Sequence, residues 1–548
     1  MSGWNIDIGA ESGTSSETTL VDGSTFVVSS ANGDIHERTH GLFMFDTRIL
    51  SKFCCSVNGQ SIEPLAVEYR GPFAATLVGR VRRNGDDIDR TIVVLRTRSV
   101  GNGLSESVEV RNYGTAPVEL DITFEADVDF GSLFDVKAGR TVPLRPESIG
   151  QNSGSAFLDS RTDSPWWVRI RGSPDLLQTT AGLPYWRVEL AAGATWNGCI
   201  EVTLQIGDRL FELAHPCGVP LEEALHAIRL ASWRTNAATL DTDDPMLDRI
   251  FRQSQDDLGS LRIFDPDHPD RVVVAAGAPW YMTLFGRDSL LTAWMALITG
   301  PELALGVLRS LAQLQGNDIN LSTEEQPGRI VHEVRYDQQT TRLLGGRNSY
   351  YGSVDATPLF VMLTGELARW GVPQSELIGL VPHVDRALDW IHTFGDRDGD
   401  GYVEYLSSAP HGLTNQGWKD SWDAIRYRNG AIAQAPLALA EVQAYVYGAY
   451  LARADLADWF DDLITAQRYR HLANELRVRF NDDFWVEDVG YYAMALDADK
   501  RKVDASASNI GHCLWTGIVA DDRSAMVATQ LASPALSSGF GQIGRAHV

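Results

Sequence analysis

The sequence predicts two successive folds, an antiparallel β-sandwich followed by a helical domain in the form of an α/α barrel. Three observations carry this. A chain of 548 residues exceeds what one hydrophobic core organises. From Thr18 to about Val202, β-branched and aromatic residues alternate in short runs, the pattern of half-buried strands. After about Pro220 the apolar period changes to near 3.6, and helices take over.

In chain order, Phe26-Val-Val-Ser, Ser56-Val-Asn-Gly-Gln, Thr91-Ile-Val-Val-Leu, Ser107-Val-Glu-Val-Arg-Asn, Val118-Glu-Leu-Asp-Ile-Thr-Phe-Glu and Trp166-Trp-Val-Arg-Ile-Arg read as strands. Asn32-Gly33, Asn58-Gly59, Asn84-Gly85, Asn102-Gly103 and Tyr113-Gly114 supply hairpin turns and short loops between them. No helical pattern intervenes, which points to a sandwich. Helices are expected at Leu221–Trp233, Pro245–Leu261, Asp288–Ile298, Pro301–Leu314, Thr357–Trp370, Leu380–Phe394, Ala435–Arg453, Ile464–Phe480 and Ala507–Val519. The loops joining them hold most of the Trp, Tyr, Asp and Arg of this half, as in a ring of helical hairpins. The expected division is 1–218 sandwich, 219–250 helical linker, 251–540 helical catalytic domain and 541–548 a non-native tail.

Hydrophobic residues at 44% and charged residues at 22% exclude a disordered or low-complexity chain. The net charge of -25 disfavours nucleic acid and anionic membrane as partners and suits a neutral ligand. Met1 to Thr14 has neither the basic nor the apolar part of a signal peptide, and Val272–Met282 is too short to span a bilayer. Five cysteines without C-x-x-C spacing read as reduced thiols in a cytoplasmic protein.

Four clusters carry the candidate chemistry. In Gly277-Ala-Pro-Trp-Tyr-Met-Thr-Leu-Phe-Gly-Arg-Asp-Ser, Trp280 and Tyr281 would stack on a sugar ring while Arg287 and Asp288 fork onto adjacent hydroxyls; Asp288 could equally cap a helix. Val331-His-Glu-Val-Arg contributes His332, Glu333 and Arg335, where the last two could be no more than a surface ion pair. Tyr350-Tyr-Gly-Ser-Val-Asp contributes Tyr351 and Asp355, the latter also a candidate N-cap. In Asn415-Gln-Gly-Trp-Lys-Asp-Ser-Trp-Asp, Asp420 lies between Trp418 and Trp422. Apolar walls raise a carboxyl pKa as a proton donor requires, whereas Lys419 pulls the other way, and Asp423 is the competing acid.

Asp396-Arg-Asp-Gly-Asp-Gly-Tyr-Val-Glu matches the first six positions of a calcium loop through Asp396, Asp398, Asp400 and Gly401, yet the twelfth position is Ser407. A tight Asx-turn without metal, or direct sugar contact by Glu404, are the other readings. No P-loop, G-x-G-x-x-G or Ser-His-Asp order suggests other chemistry, and no cofactor is expected.

Together Ala278-Pro-Trp-Tyr, Phe285-Gly-Arg-Asp-Ser-Leu, His332-Glu333, Tyr350-Tyr-Gly-Ser-Val-Asp-Ala-Thr-Pro, Asp398-Gly-Asp-Gly-Tyr-Val-Glu-Tyr and Asn415-Gln-Gly-Trp-Lys-Asp-Ser resemble the loop motifs of prokaryotic glycogen debranching enzymes of the amylo-α-1,6-glucosidase type, distant relatives of glucoamylases. Asp34 and Gly41-Leu-Phe-Met-Phe-Asp-Thr-Arg are similar to the opening of that family's N-terminal domain. The resemblance implies an (α/α)6 toroid behind the sandwich and inverting hydrolysis of α-glucosidic linkages in glycogen or maltodextrin. It makes Asp420 the general acid, has Arg287 and Asp288 hold the terminal glucose, and puts the base, a Glu, beyond the last residue here. A chain lacking that base is expected to be poorly active. An inverting phosphorylase, set apart by phosphate dependence, and a glycan-binding protein without catalysis, indifferent to Asp420, are the rival readings.

Overall fold

The computed structural model describes residues 17–82, 88–140, 147–152, 155–159, 166–173, 177–178, 184–265, 268–337, 341–342, 344–410 and 412–542. They form two compact units. One holds the chain up to Trp233 with Arg252–Leu261 and Gly277–Trp280; the other holds Arg234–Phe251, Arg262–Ala276 and the chain from Tyr281 onward.

In the first unit, β1 (Glu17–Asp22), β2 (Thr25–Ser30), β3 (Gly41–Met44) and β4 (Thr47–Leu50) pair in sequence order as one antiparallel sheet. A larger antiparallel sheet takes β5 (Lys52–Val57), β6 (Gln60–Tyr69), β7 (Ala74–Arg82), β8 (Ile88–Val100), β9 (Gly103–Asn112), β10 (Val118–Asp127), β11 (Glu147–Asn152), β12 (Ser155–Asp159), β13 (Trp166–Ser173), β14 (Leu177–Gln178), β15 (Pro184–Leu190) and β16 (Thr195–Ile206). Its order is β11-β12-β13-β16-β9-β8-β7-β6-β5-β10-β15-β14. The period-two signal has its expected cause: along β5, Phe53, Cys55 and Val57 are buried while the residues between them are partly exposed. Ser56–Gln60 is not one strand. It straddles a hairpin in which Val57 pairs with Gln60, because Asn58 and Gly59 both take positive φ, as a two-residue turn requires. The Asn84-Gly85 turn lies outside the described residues.

This unit also buries charge. Arg96 reaches Asp34 at 2.7 Å and Glu106 at 2.5 Å, and Arg98 reaches the other oxygen of Glu106 at 2.6 Å. The expectation of reduced thiols fails for two of the five cysteines. Cys199 on β16 is disulfide-bonded to Cys217, whose amide is held by Glu201 at 2.7 Å, so the chain after β16 folds back within bridging reach. Cys54, Cys55 and Cys513 are free thiols.

Helix α1 (Leu133–Lys137) lies in the first unit, and α2 (Leu225–Asn236) and α3 (Pro245–Ser260) each have residues in both. The second unit is built from α4 (Gly286–Met295), α5 (Glu302–Gln313), α6 (Ala356–Arg369), α7 (Val381–Trp390), α8 (Ala440–Trp459), α9 (Leu463–Asp483), α10 (Ile510–Thr516) and α11 (Asp521–Ala532). Helix α8 packs against α6, α9 and α10. Its small buried residues allow close approach: a Cβ on Gly365 of α6 would come within 2.6 Å of the Ala452 Cβ. This helix starts at Ala440 rather than Ala435 because Ala438–Leu439 pairs as a short strand with Ala495–Leu496. Among the described residues, no helix is long and apolar enough to cross a membrane.

Candidate functional site

The site is centred on the first turn of α4. Gly286 fits there because the backbone runs against the preceding cluster: its amide donates to His332 O at 2.8 Å, and a Cβ would meet Val331 O at 2.1 Å. That contact fixes Arg287, which is 6% exposed. One terminal nitrogen, Nη1, donates to Asp355 Oδ2 and to Gly417 O, both at 2.8 Å, while Nη2 stands 3.4 Å from Asp420 Oδ2. One guanidinium therefore ties together the loops ahead of α4 and α6 and the 415–423 loop.

The acids around it differ in surroundings. Asp355 is fully buried at the N-cap position of α6 but makes no cap hydrogen bond with its side chain; it accepts from Arg287 and, at 2.7 Å, from Ser353 Oγ. The Asp420 side chain keeps 45% of its surface exposed, and burial still raises its pKa against the opposing pull of Arg287. The pKa of Asp288 is raised for the same reason; it lies 4.0 Å from Arg287 Nε. The competitor Asp423 is paired with Arg426 at 2.8 Å. Trp418 and Trp422 are 44% and 61% exposed, so they do not enclose Asp420 as walls.

The other predicted residues are placed as follows. Tyr281 is edge-on to Phe285. Trp280 belongs to the first unit, where its ring stands edge-on to Phe26 and Phe43 at 6.4 and 6.0 Å. His332 is buried edge-on to Phe285 and Tyr350, and burial together with nearby Arg287, Arg335 and Arg329 pushes its imidazole pKa well down. Arg335 is buried over the Phe285 ring and donates to Glu333 at 2.9 Å. The Tyr351 hydroxyl is committed to Leu314 O at 2.8 Å. Glu404 is 3% exposed and bonded to Lys500.

The calcium-loop alternative has a resident cation. Lys500 Nζ lies 2.8 Å from Asp398 and 2.5 Å from Asp400, and contacts Glu404 as well. Asp396 instead accepts the amides of Gly399 and Gly401 at 2.8 and 2.9 Å, so the loop is a set of Asx-turns closed on an ammonium group.

Sequence reading missed Glu441, in the first turn of α8. It is fully buried and accepts from Asn509 at 2.7 Å, while its second oxygen makes no hydrogen bond. Burial pushes its pKa up to about 7, with Asn509 and Lys419 opposing. A Cβ on Gly417 would stand 3.6 Å from it, so it underlies the loop that carries Asp420. Its signal was a lone acid in an apolar run, Ala435 to Val446. His512 was also missed: it is edge-on to Trp418 at 4.5 Å and 2.9 Å from the Tyr445 hydroxyl.

The architecture, an antiparallel β domain followed by an α-helical domain, is of the glucoamylase type. A bacterial glucoamylase complexed with acarbose superposes at a TM-score of 0.56 and 12% identity over 97% of this chain and 82% of that one. A putative kojibiose phosphorylase from human microbiome gives 0.49 and 8% over 87% and 69%, and a rhamnosidase of a Bacillus species 0.39 and 12% over 80% and 38%. More particularly, residues 20–201 match the family described as the N-terminal domain of (some) glycogen debranching enzymes. No curated protein matches the chain.

Proposed function

We propose that the protein is a glycoside hydrolase that cleaves α-glucosidic linkages, with α-1,6 branches of glycogen or maltodextrin as its substrates, by an inverting mechanism. The observation that carries this reading is Arg287 held between buried Asp355 and half-exposed Asp420. Asp355 fixes the guanidinium, leaving Asp420 as a carboxyl of raised pKa open to a ligand. A protonated acid so placed donates to the glycosidic oxygen as the bond breaks, while a second carboxylate roughly 6.5–9.5 Å away activates water. Arg287 and Asp288 offer the donor and acceptor that a terminal glucose requires. The fold similarity to glucoamylase and the debranching-type N-terminal match support the substrate class, as does a net charge suited to a neutral polymer. The cytoplasm, where such storage glucans are turned over, is the proposed compartment.

The test combines turnover and binding. Whatever rate of glucose release from a branched limit dextrin the protein shows, replacing Asp420 by Asn should lower it by about 10²–10⁴-fold, the usual worth of a general acid, and leave acarbose binding within a few-fold. Equal turnover by D420N would refute the acid assignment. Release of glucose 1-phosphate only when phosphate is supplied would transfer the reading to a phosphorylase.

A further inference from the structure

We propose that Glu17, Glu37 and His40 form a binding site for one divalent transition-metal ion of the zinc class in the first unit, apart from the sugar chemistry. Glu17 opens β1, and Glu37 and His40 lie in the turn between β2 and β3, where His40 N donates to Glu37 O at 3.1 Å. The His40 ring is completely buried, yet neither ring nitrogen makes a hydrogen bond. Its Nε2 faces two carboxylates that reach in from solvent: Glu17 Oε1 at 3.4 Å and Glu37 Oε2 at 3.8 Å. The three donor atoms all lie within 4.8 Å of one another.

Those separations are what a shared cation needs. Bond lengths of about 2.0–2.1 Å in a tetrahedral shell put neighbouring ligand atoms roughly 3.3 Å apart. Without a cation, two carboxylates at this distance repel each other, and a buried imidazole nitrogen goes unsatisfied. Imidazole with carboxylate selects zinc, cobalt or nickel over calcium and magnesium, which take oxygen shells. His36 stands edge-on to His40 at 5.5 Å, with its Nε2 4.0 Å from Glu37.

The frame is rigid where a binding site requires it. Arg48 donates to the carbonyls of Arg38 and His40 at 2.9 and 3.1 Å, and its guanidinium is neutralised by Asp129, so it braces the turn without opposing a cation. The contrast with the Asp396–Asp400 loop is direct: there Lys500 supplies the positive charge, whereas here the buried nitrogen faces the two acids.

Calorimetric titration of the EDTA-stripped full chain with Zn²⁺, with the visible absorption of Co²⁺ as a second probe, tests the site. One equivalent should bind, the Co²⁺ spectrum should show nitrogen–oxygen ligation, and Zn²⁺ should raise Tm. The E17Q/E37Q double variant should weaken Zn²⁺ binding at least tenfold and lose the Tm shift. Both side chains are more than half exposed, so this variant tests ligation without disturbing the core as a His40 variant would. A D396N/D398N/D400N variant should bind Zn²⁺ as the parent does. No binding by the parent, or equal binding by E17Q/E37Q, overturns the proposal.

Discussion

Two carboxyl groups near one loop show how burial sets the role a residue can play. Asp420 meets solvent and a guanidinium; Glu441 meets an amide and little else. For Glu441 the consequence is thermodynamic. Its pKa rises from the usual 4.5 in the unfolded chain to about 7 in the folded one. A raised folded value means that its contribution is complete below pH about 4.5 and is lost as pH climbs through about 7. The loss over that window is roughly 3 kcal/mol at most, from about 1.4 kcal/mol per unit. Replacement of Glu441 by Gln keeps an acceptor for Asn509 and removes the titration. Urea unfolding at pH 4.5 and 7.5 should therefore show a smaller pH dependence in E441Q than in the parent; equal dependence would mean the carboxyl does not titrate in this window.

At the scale of elements, the loops are held by charges contributed from elsewhere in the chain. Glu324 accepts from Ser407 Oγ, Ser408 N and Ala409 N at 2.8–3.0 Å and from the Gln416 amide, which fastens the segment that leads into Gly417 and Asp420. Lys500 closes the Asp398–Glu404 loop in the same way. Substituting Lys500 by Met leaves Asp398, Asp400 and buried Glu404 without their counter-charge and should cost about 3 kcal/mol. Calcium should recover part of that loss in K500M and do little for the parent, as thermal unfolding with and without Ca²⁺ will show. If calcium stabilises both equally, Lys500 is not the loop's cation. Local pattern made the strands of the first unit and most helices of the second legible, since alternation and 3.6-residue periodicity are read within a dozen residues. It failed at Ala435–Leu439, where an apolar run continuing into α8 is a strand; at Ser56–Gln60 the strand reading yields to the turn that Asn58-Gly59 also signalled. The aromatic and charged loops of the candidate site were visible as clusters. That Arg287 takes Asp355 and Asp420 as partners across 68 and 133 residues, that Lys500 serves Asp398, and that Glu441 lies under Gly417 depends on pairings well beyond the dozen residues a local rule spans.

For the whole molecule, the division into two units and the position of the disulfide make a joint claim about unfolding. Cys199 and Cys217 both belong to the first unit, and the bridge closes a loop between residues 18 apart in sequence. A loop of that size removes chain entropy from the unfolded state worth about 3 kcal/mol, and the gain falls to the unit whose unfolding opens the loop. The second unit has its own core around α8, with Cys513 as a buried free thiol, so reduction leaves its covalent structure unchanged. Calorimetry in the presence of a phosphine reductant should therefore lower the transition of the β unit by several degrees and hold that of the helical unit within about a degree. A C199S/C217S variant should reproduce the reduced protein and be insensitive to reductant. A single transition that moves as a whole would mean that the two units unfold together. The same experiment bears on compartment: persistence of the bridge in protein isolated under thiol-blocking conditions requires an oxidising environment, whereas its absence there returns the chain to the reducing cytoplasm.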